Sequence, residues 1–217
     1  SGMVGGQSSQ STSTEQTNYQ PSAEEQDVYD FVSVVLADTE DTWTHIYRQS
    51  NAKYPDPTLV IYRDRTPTAC GTGKAASGPF YCPADQKIYL DLSFLGELKR
   101  MGASGDFAVA YVLAHEVGHH IQTVTGISSK VRKAQSQTNK AGQNALQVKM
   151  ELQADCLAGV WANQTQQRTQ FLESGDLEEA LSAAEAVGDD TLMKRAGVPP
   201  RRENFTHGSS KERMDWF

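Results

Sequence analysis

The segment that most restricts the fold of this chain is residues 110–120, which read Ala-Tyr-Val-Leu-Ala-His-Glu-Val-Gly-His-His. His115 and His119 are four residues apart, so on a helix they lie on one face and can offer two imidazole nitrogens to one metal ion. Glu116 directly follows the first histidine and can take a proton from a water molecule at that ion. The spacing therefore predicts a helix with a metal site on one face.

The residues around this motif favour a helix in the protein interior. Apolar or small residues recur at helical spacing, at Phe107, Ala110, Tyr111, Ala114 and Gly118. Ser104 or Asp106 can cap the start of the helix, and Gly126 can end it. In this setting the H-E-x-x-H pattern indicates a zinc hydrolase, and the alternative is an accidental match on a helix with half-exposed histidines.

A catalytic zinc ion takes three protein ligands and keeps one position for water, so a third ligand is needed. The other histidines of the chain are His45, His120 and His207. His120 points about 100° around the helix from its neighbour His119 and is poorly placed. Glu151 and Asp155 are four residues apart in a stretch of small side chains, so they share one helical face. One carboxylate can bind the metal while the other accepts the spare N–H of a ligand histidine, and the alternative is a solvated acidic edge.

With an H-E-x-x-H motif followed downstream by E-x-x-x-D, the chain resembles the gluzincin arrangement of zincin metallopeptidases. It is more similar still to the neutral zinc metallopeptidases of bacteria, the YpfJ-like family, over roughly residues 24–217. The matching stretches are residues 70–71, 78–83, 115–120, 151–161 and 207–210.

The resemblance implies a ligand set and a role for each nearby acid. Zinc would be held by His115, His119 and Glu151. Glu116 would act as the general base and later as the acid, and Asp155 would support a ligand histidine, His115. The 31 residues between His119 and Glu151 exceed the spacing of the best-known gluzincins. The resemblance implies no particular substrate.

A further candidate is a group that stabilises the transition state. Peptide hydrolysis puts negative charge on the former carbonyl oxygen, and a donor placed there lowers the barrier by about 3 kcal/mol. Related gluzincins use a histidine or tyrosine from a downstream segment, so His207 is the candidate, with Tyr111 and Arg213 as substitutes. The alternative is that His207 belongs to the cap of a last helix opened by Ser209-x-x-Glu212.

Cys70 and Cys82 flank a Gly-rich loop, and a disulfide between them would close a short loop, worth about 3 kcal/mol. Such a bridge fits an oxidising compartment, and the alternative is a pair of reduced thiols. Cys156 is expected to be a small buried residue, with a soft metal ligand as the alternative.

The resemblance implies a membrane-spanning helix near the N-terminus of related proteins, so membrane contact is expected only through an anchor that this chain lacks. The expected location is the bacterial cell envelope, at the periplasmic or extracellular face of the inner membrane. Residues 1–22 are rich in Gly, Ser, Gln and Thr and are expected to form a flexible linker, either a tether or an expression remnant. Residues 23–217 are expected to form the zincin-like metallopeptidase domain.

The charge of the chain argues against a nucleic-acid partner. The net charge is -7, with acidic and basic residues interspersed, so no basic stripe is available to neutralise phosphates. The apolar runs of this chain are shorter than the ~20 residues that cross a bilayer.

The expected fold class is α+β, predominantly helical and zincin-like, with a small sheet beside the active-site helix. Strands are expected within residues 58–63 and 80–92 and helices over 22–49, 128–167, 176–187 and 189–195. The segment 128–167 is expected to be either one long helix or two helices split near Gly142. In zincins the strand before the active-site helix commonly runs along the rim of the cleft, so the resemblance implies substrate beside residues 86–91, along a strand with a free edge. The alternative is a strand paired on both sides.

These features together predict a zinc-dependent metallopeptidase that acts on a peptide or protein substrate. One rival is a zinc hydrolase of a non-peptide amide, such as a cell-wall linkage. Another is a non-catalytic binding module in which Cys156 or His207 fills the fourth zinc position. A third interpretation is that the protein has a purely structural role and needs no metal. The oligomeric state has no signature in the sequence.

Overall fold

A computed structural model of the protein describes residues 20–74, 79–94, 96, 100 and 105–217. The helices are α1 (Ala23–Gln49), α2 (Asp106–Val124), α3 (Ile127–Gln135), α4 (Lys140–Thr169), α5 (Asp176–Ala186), α6 (Asp189–Arg195) and α7 (Ser210–Trp216), with a 3-10 turn at Arg202–Asn204. The strands are β1 (Thr58–Tyr62), β2 (Arg65–Thr68), β3 (Gly71–Lys74), β4 (Phe80–Cys82) and β5 (Lys87–Asp91). The α+β class is confirmed. Most of the expected linker, residues 1–19, lies outside the described residues.

Helix α2 is the centre of the core and contacts α1, α4, α5 and β4. The residues of its expected apolar stripe are buried, and Phe107 stacks on Trp161 of α4 with ring centroids 5.8 Å apart. Within the described part of the chain, no helix is long and apolar enough to cross a membrane.

Helices α2 and α4 approach each other closely where their side chains are small. A Cβ atom at Gly118 would lie 3.0 Å from the carbonyl oxygen of Ala154 and 3.1 Å from its Cα atom, tighter than most Cβ contacts. The small side chains expected to permit this approach therefore do so. The two motif-bearing helices meet at their motifs.

The sheet beside α2 has the strand order β1-β5-β4. Strand β5 pairs in parallel with β1 and antiparallel with β4, so it is the central strand. The expectation that residues 86–91 offer a free edge to substrate is therefore wrong. Polar–apolar alternation in the sequence cannot tell which strands flank a given strand, and here both faces of β5 are buried. The strand at the edge of this sheet on the side of α2 is β4.

A hairpin of β2 and β3 was not expected, because Pro67 and two glycines obscure the strand pattern. Its turn carries Cys70, and the expected disulfide to Cys82 is present, with the two Cα atoms 5.8 Å apart. Asp85 strengthens the same connection by accepting the backbone N–H of Ala69. The hairpin is thereby fastened to the end of β4. Residues 75–78 of the Gly-rich loop lie outside the described residues.

The expected helix over residues 128–167 is two helices. Helix α3 ends at Gln135, and α4 begins after Asn139, whose side chain accepts the N–H of Gly142 at 2.9 Å. The break therefore lies a few residues before the glycine. The other expected helices are confirmed to within one or two residues, and α7 opens with the expected capping box of Ser209 and Glu212.

The start of α2 is capped from elsewhere in the chain. Asp106 is the first helical residue and not the cap, while Ser104 lies outside the described residues. Glu179 of α5 accepts the backbone N–H of Phe107 at 3.0 Å. A carboxylate at this end of the helix also suits the helix dipole.

Candidate metal centre

Three of the predicted site residues meet where α2 and α4 face each other. His115 and His119 lie one turn apart on α2, and Glu151 lies opposite on α4. The Oε2 atom of Glu151 is 2.8 Å from Nε2 of His115 and 3.1 Å from Nε2 of His119. Among the described residues, this is the one group of three that could hold a metal ion.

His115 is held from its other side by Asp155, as the resemblance implied. The Nδ1 atom of His115 is 2.8 Å from Oδ1 of Asp155, which is fully buried. Asp155 also accepts hydrogen bonds from the Tyr111 hydroxyl and from the Arg213 guanidinium, whose Nε atom is 2.9 Å from Oδ2. The Asp155 carboxylate thus fixes the Nδ1–H tautomer of the ring, and Arg213 compensates its charge.

Tyr111 and Arg213, the substitute candidates for the transition-state donor, also line the cavity of the metal group. Both are buried, and both donate to Asp155. Burial raises the pKa of Tyr111 well above its usual value, so this hydroxyl stays protonated and remains a donor. In this arrangement the two side chains support the carboxylate behind His115.

His119 is held by a residue that the sequence analysis missed. Its Nδ1 atom is 2.8 Å from Oε1 of Gln122, a side chain with no exposed surface. The signal was available, because residues three apart on a helix lie side by side. However, the chain has many glutamines, and nothing in the sequence distinguishes this one from the others.

The charges of the group are mutually dependent. Burial alone would lower the pKa of His115, but Asp155 and Glu151 outweigh it and raise that pKa to about 10. Burial alone would raise the pKa of Glu151, but the two imidazoles hold it well below its usual value. A divalent cation can replace the protons that this arrangement otherwise attracts.

Glu116 lies in the wall of the same cavity as the two histidines. It is buried, and burial raises the pKa of its carboxyl, although His119 and His115 oppose that shift. A carboxyl group with a raised pKa is suited to accept and release a proton.

The metal group opens into a cavity of about 660 Å³. One wall is apolar and is formed by Pro79, Phe80, Tyr81, Pro83 and Phe94. His207 also lines the cavity, with a side chain that is 51% exposed. Its backbone N–H donates to Oδ2 of Asp189 at 2.7 Å, so the loop that carries it is anchored to the start of α6. The candidate transition-state donor and the metal group therefore share one cavity.

The remaining histidines and the free cysteine lie apart from the metal group. The Nδ1 atom of His120 is 2.8 Å from the Tyr81 hydroxyl, and its Nε2 atom is 2.5 Å from the carbonyl oxygen of Pro55. His45 is exposed on α1. Cys156 is only partly buried, short of the buried position expected for it.

The donor set fits zinc. Two imidazole Nε2 atoms and one carboxylate oxygen are the ligands that catalytic zinc sites use. Acceptors at Asp155 and Gln122 hold the Nδ1 atoms of both rings, so the Nε2 atoms are turned towards Glu151.

Comparison with known proteins gives matches over most of the chain. The family described as "Putative neutral zinc metallopeptidase" matches residues 1–217. "Uncharacterized protein YpfJ" of Escherichia coli strain K12 is 48% identical over 216 residues, which are 99% of this chain and 75% of that protein. "Uncharacterized protein Rv2575" of Mycobacterium tuberculosis strain H37Rv is 35% identical over 198 residues, 86% of this chain and 66% of that protein. No solved structure matches the chain significantly.

Proposed function

The chain belongs to the putative neutral zinc metallopeptidase family, and on that premise we propose that it is a zinc-dependent peptidase with Glu116 as its general base. One observation carries the proposal. The Nε2 atoms of His115 and His119 converge on Oε2 of Glu151 in the wall of the cavity that Glu116 also lines.

The proposed mechanism divides the work among these side chains. His115, His119 and Glu151 would hold a zinc ion, which would supply Lewis acidity for the substrate carbonyl and for a water molecule beside Glu116. The Glu116 carboxylate takes a proton from that water as it attacks the carbonyl, and then passes the proton to the leaving amine. Because Glu116 is buried, the proton it holds between these steps is shielded from bulk solvent.

The open part of the cavity supports an extended peptide or protein as the substrate. Strand β4 is at the edge of its sheet, and an extended peptide can pair with such an edge through its backbone. Phe80 and Tyr81 of this strand line the cavity and can contact apolar substrate side chains. His207 is proposed to donate a hydrogen bond to the carbonyl oxygen as it gains charge.

The disulfide supports the proposed location in an oxidising part of the cell envelope. The bridge between Cys70 and Cys82 fastens the hairpin to β4, and such bridges persist where thiols are not kept reduced.

The test combines metal content with activity. The purified protein is expected to contain zinc, to cleave unstructured peptides, to lose activity with a chelator, and to regain it with zinc. Glu116→Gln should keep the zinc and the melting temperature while peptide cleavage falls by about 10²–10⁴-fold, since it removes only the proton acceptor. The matched control is Glu178→Gln, at an exposed position of α5, which should cleave like the wild type.

Two results would contradict the proposal. A wild-type protein that binds no zinc from a zinc-containing buffer would exclude the metal site. Cleavage by Glu116→Gln at the wild-type rate would show that Glu116 is not the general base.

A further inference from the structure

Gln122 is a buried amide that connects the two helices of the metal group. Its Oε1 atom is 2.8 Å from Nδ1 of His119 on its own helix. Its Nε2 atom is 2.8 Å from the carbonyl oxygen of Met150 and 2.8 Å from Oε1 of Gln153, both on α4. Met150 and Gln153 lie on either side of Glu151 in the sequence, so one amide contacts the segments of two proposed metal ligands.

The contacts to α4 determine which way the amide faces. The carbonyl oxygen of Met150 can only accept a hydrogen bond, so the NH₂ group of Gln122 must point towards it. The Oε1 atom of Gln122 is then turned towards His119, and it can only accept. The Nδ1 atom of His119 must therefore carry the hydrogen.

This hydrogen-bond arrangement fixes the tautomer of His119 that is available to bind a metal ion. A neutral imidazole that carries its hydrogen on Nδ1 has its lone pair on Nε2, the atom that lies 3.1 Å from Oε2 of Glu151. We infer that Gln122 is a positioning residue of the metal centre, which presents Nε2 of His119 to zinc. The inference rests on the proposed function in that the metal is the zinc ion proposed above.

The choice of an amide here has a physical reason. Asp155 supports His115 as a carboxylate, but its charge is compensated by Arg213, whose Nε atom lies 2.9 Å away. Among the described residues, Gln122 is hydrogen-bonded to a histidine, a carbonyl oxygen and a second amide, and not to a lysine or an arginine. Glu116 and Glu151 are already buried beside the same rings. A neutral acceptor therefore orients His119 without adding another buried negative charge, which would destabilise the metal-free protein.

Two substitutions at this position separate positioning from packing. Gln122→Met keeps the length of the side chain but accepts no hydrogen bond from His119 and donates none to α4. Gln122→Glu keeps the acceptor for His119 and loses both donors to α4. Gln143→Met, on the first turns of α4, is the control, because among the described residues the side-chain amide of Gln143 is hydrogen-bonded only to the carbonyl oxygen of Thr138.

The readouts are the zinc dissociation constant, measured by competition with a chromophoric chelator, the absorption spectrum of the Co²⁺-substituted protein, and the melting temperature of the metal-free protein. Gln122→Met should weaken zinc binding by about 10–100-fold and change the Co²⁺ spectrum, since one imidazole is no longer held. Gln122→Glu should bind zinc within a few-fold of the wild type and show a wild-type Co²⁺ spectrum, although its metal-free form melts at a lower temperature. Gln143→Met should match the wild type.

Several results would overturn the inference. One is wild-type zinc affinity with an unchanged Co²⁺ spectrum in Gln122→Met. Another is a Gln122→Glu protein that binds zinc as weakly as Gln122→Met, because the amide would then act only through α4. If the wild type itself binds no zinc, the proposed function fails as well. If the wild type binds zinc and Gln122→Met binds it equally well, only the positioning role of Gln122 is refuted.

Discussion

The two ends of the cavity are built in different ways. At the ligand end, formed by His115, His119 and Glu151 with their supporting side chains, the carboxylate behind His115 is 0% exposed and is bonded by three side chains. At the open end, formed by residues 79–83 and His207, the histidine is 51% exposed and its ring nitrogen contacts only Thr206 and, at 3.8 Å, Asp189. The ligand end is buried and bonded by several side chains, whereas the histidine of the open end is half exposed and held mainly through its backbone.

This difference follows from where the supporting groups come from. The ligand end joins α2, α4 and α7, so moving one of its side chains disturbs contacts among three helices. His207 lies on a loop that is anchored through its backbone to Asp189. Substitutions at the ligand end should therefore cost stability and metal binding together, while those at the open end should affect catalysis or the loop alone.

The largest effect on stability is expected for Arg213→Met. This change leaves the fully buried Asp155 without its guanidinium partner, and loss of one partner of a buried ion pair typically costs about 3–5 kcal/mol. Urea unfolding of the metal-free protein measures the change in the free energy of unfolding. Arg202→Met is the matched control, because its ion pair with Glu212 is exposed, with 58% of the arginine side chain accessible, and should contribute about 0–1 kcal/mol. Equal losses in the two variants would show that the ligand end is no more rigidly built than the surface.

At the open end, His207→Ala should lower kcat for peptide cleavage by about 10²–10³-fold, because one donor to the developing oxyanion is lost. Zinc content should stay at the wild-type value, and the melting temperature should fall only slightly, since the half-exposed ring lies 3.8 Å from Asp189. Steady-state kinetics with a fluorogenic peptide measures the effect, and His45→Ala, at an exposed position of α1, serves as the control. A kcat within threefold of the wild type would assign His207 to the loop and not to the chemistry.

The smallest of these effects is expected for Asp189→Asn, at the anchor of the His207 loop. The Oδ2 atom of Asp189 accepts the backbone N–H groups of Thr206, His207 and Gly208. Weakening these charge-assisted bonds should lower the free energy of unfolding by about 2 kcal/mol at pH 7. Zinc affinity should be unchanged. The control is Asp215→Asn, whose ion pair with Lys211 is exposed.

The pH dependence of this variant provides a second check. Burial alone would raise the pKa of Asp189, but the His207 side chain, 3.8 Å away, and hydrogen bonds from the backbone N–H groups of His207 and Gly208 lower it below its usual value. The stability that this carboxylate contributes is therefore present above the unfolded pKa of about 3.9 and is lost as the pH falls through the lower pKa of the folded state. The difference between Asp189→Asn and the wild type should be constant near neutral pH and should shrink below about pH 4. A difference that grows on acidification would contradict the anchoring role.

Much of the ligand end could be predicted because its signals are local in the sequence. The four-residue spacings of His115 with His119 and of Glu151 with Asp155 place each pair on one helical face whatever the surroundings are. The helix bounds were also predictable, because caps such as Ser209 with Glu212 are formed by residues three apart.

The errors arose where a partner comes from a distant part of the chain. The cap of α2 is Glu179, more than seventy residues downstream of the helix start, so the local candidate Asp106 was wrong. The prediction that β5 has a free edge was wrong, because polar–apolar alternation describes a single strand and not its neighbours in the sheet. The support that Arg213 gives to Asp155 was likewise not predictable, because it depends on the packing of α7 against α4.

The sequence by itself determined which side chains could share a metal ion, because helical periodicity alone aligns residues that are four apart. The tertiary structure decided that the two pairs meet, since the absence of a side chain at Gly118 lets α2 lie against Ala154 of α4. It also decided what stands behind each ligand, a charge-compensated carboxylate for His115 and a neutral amide for His119. Those supports depend on contacts between helices that are far apart in the chain, and only packing of the whole core brings them together.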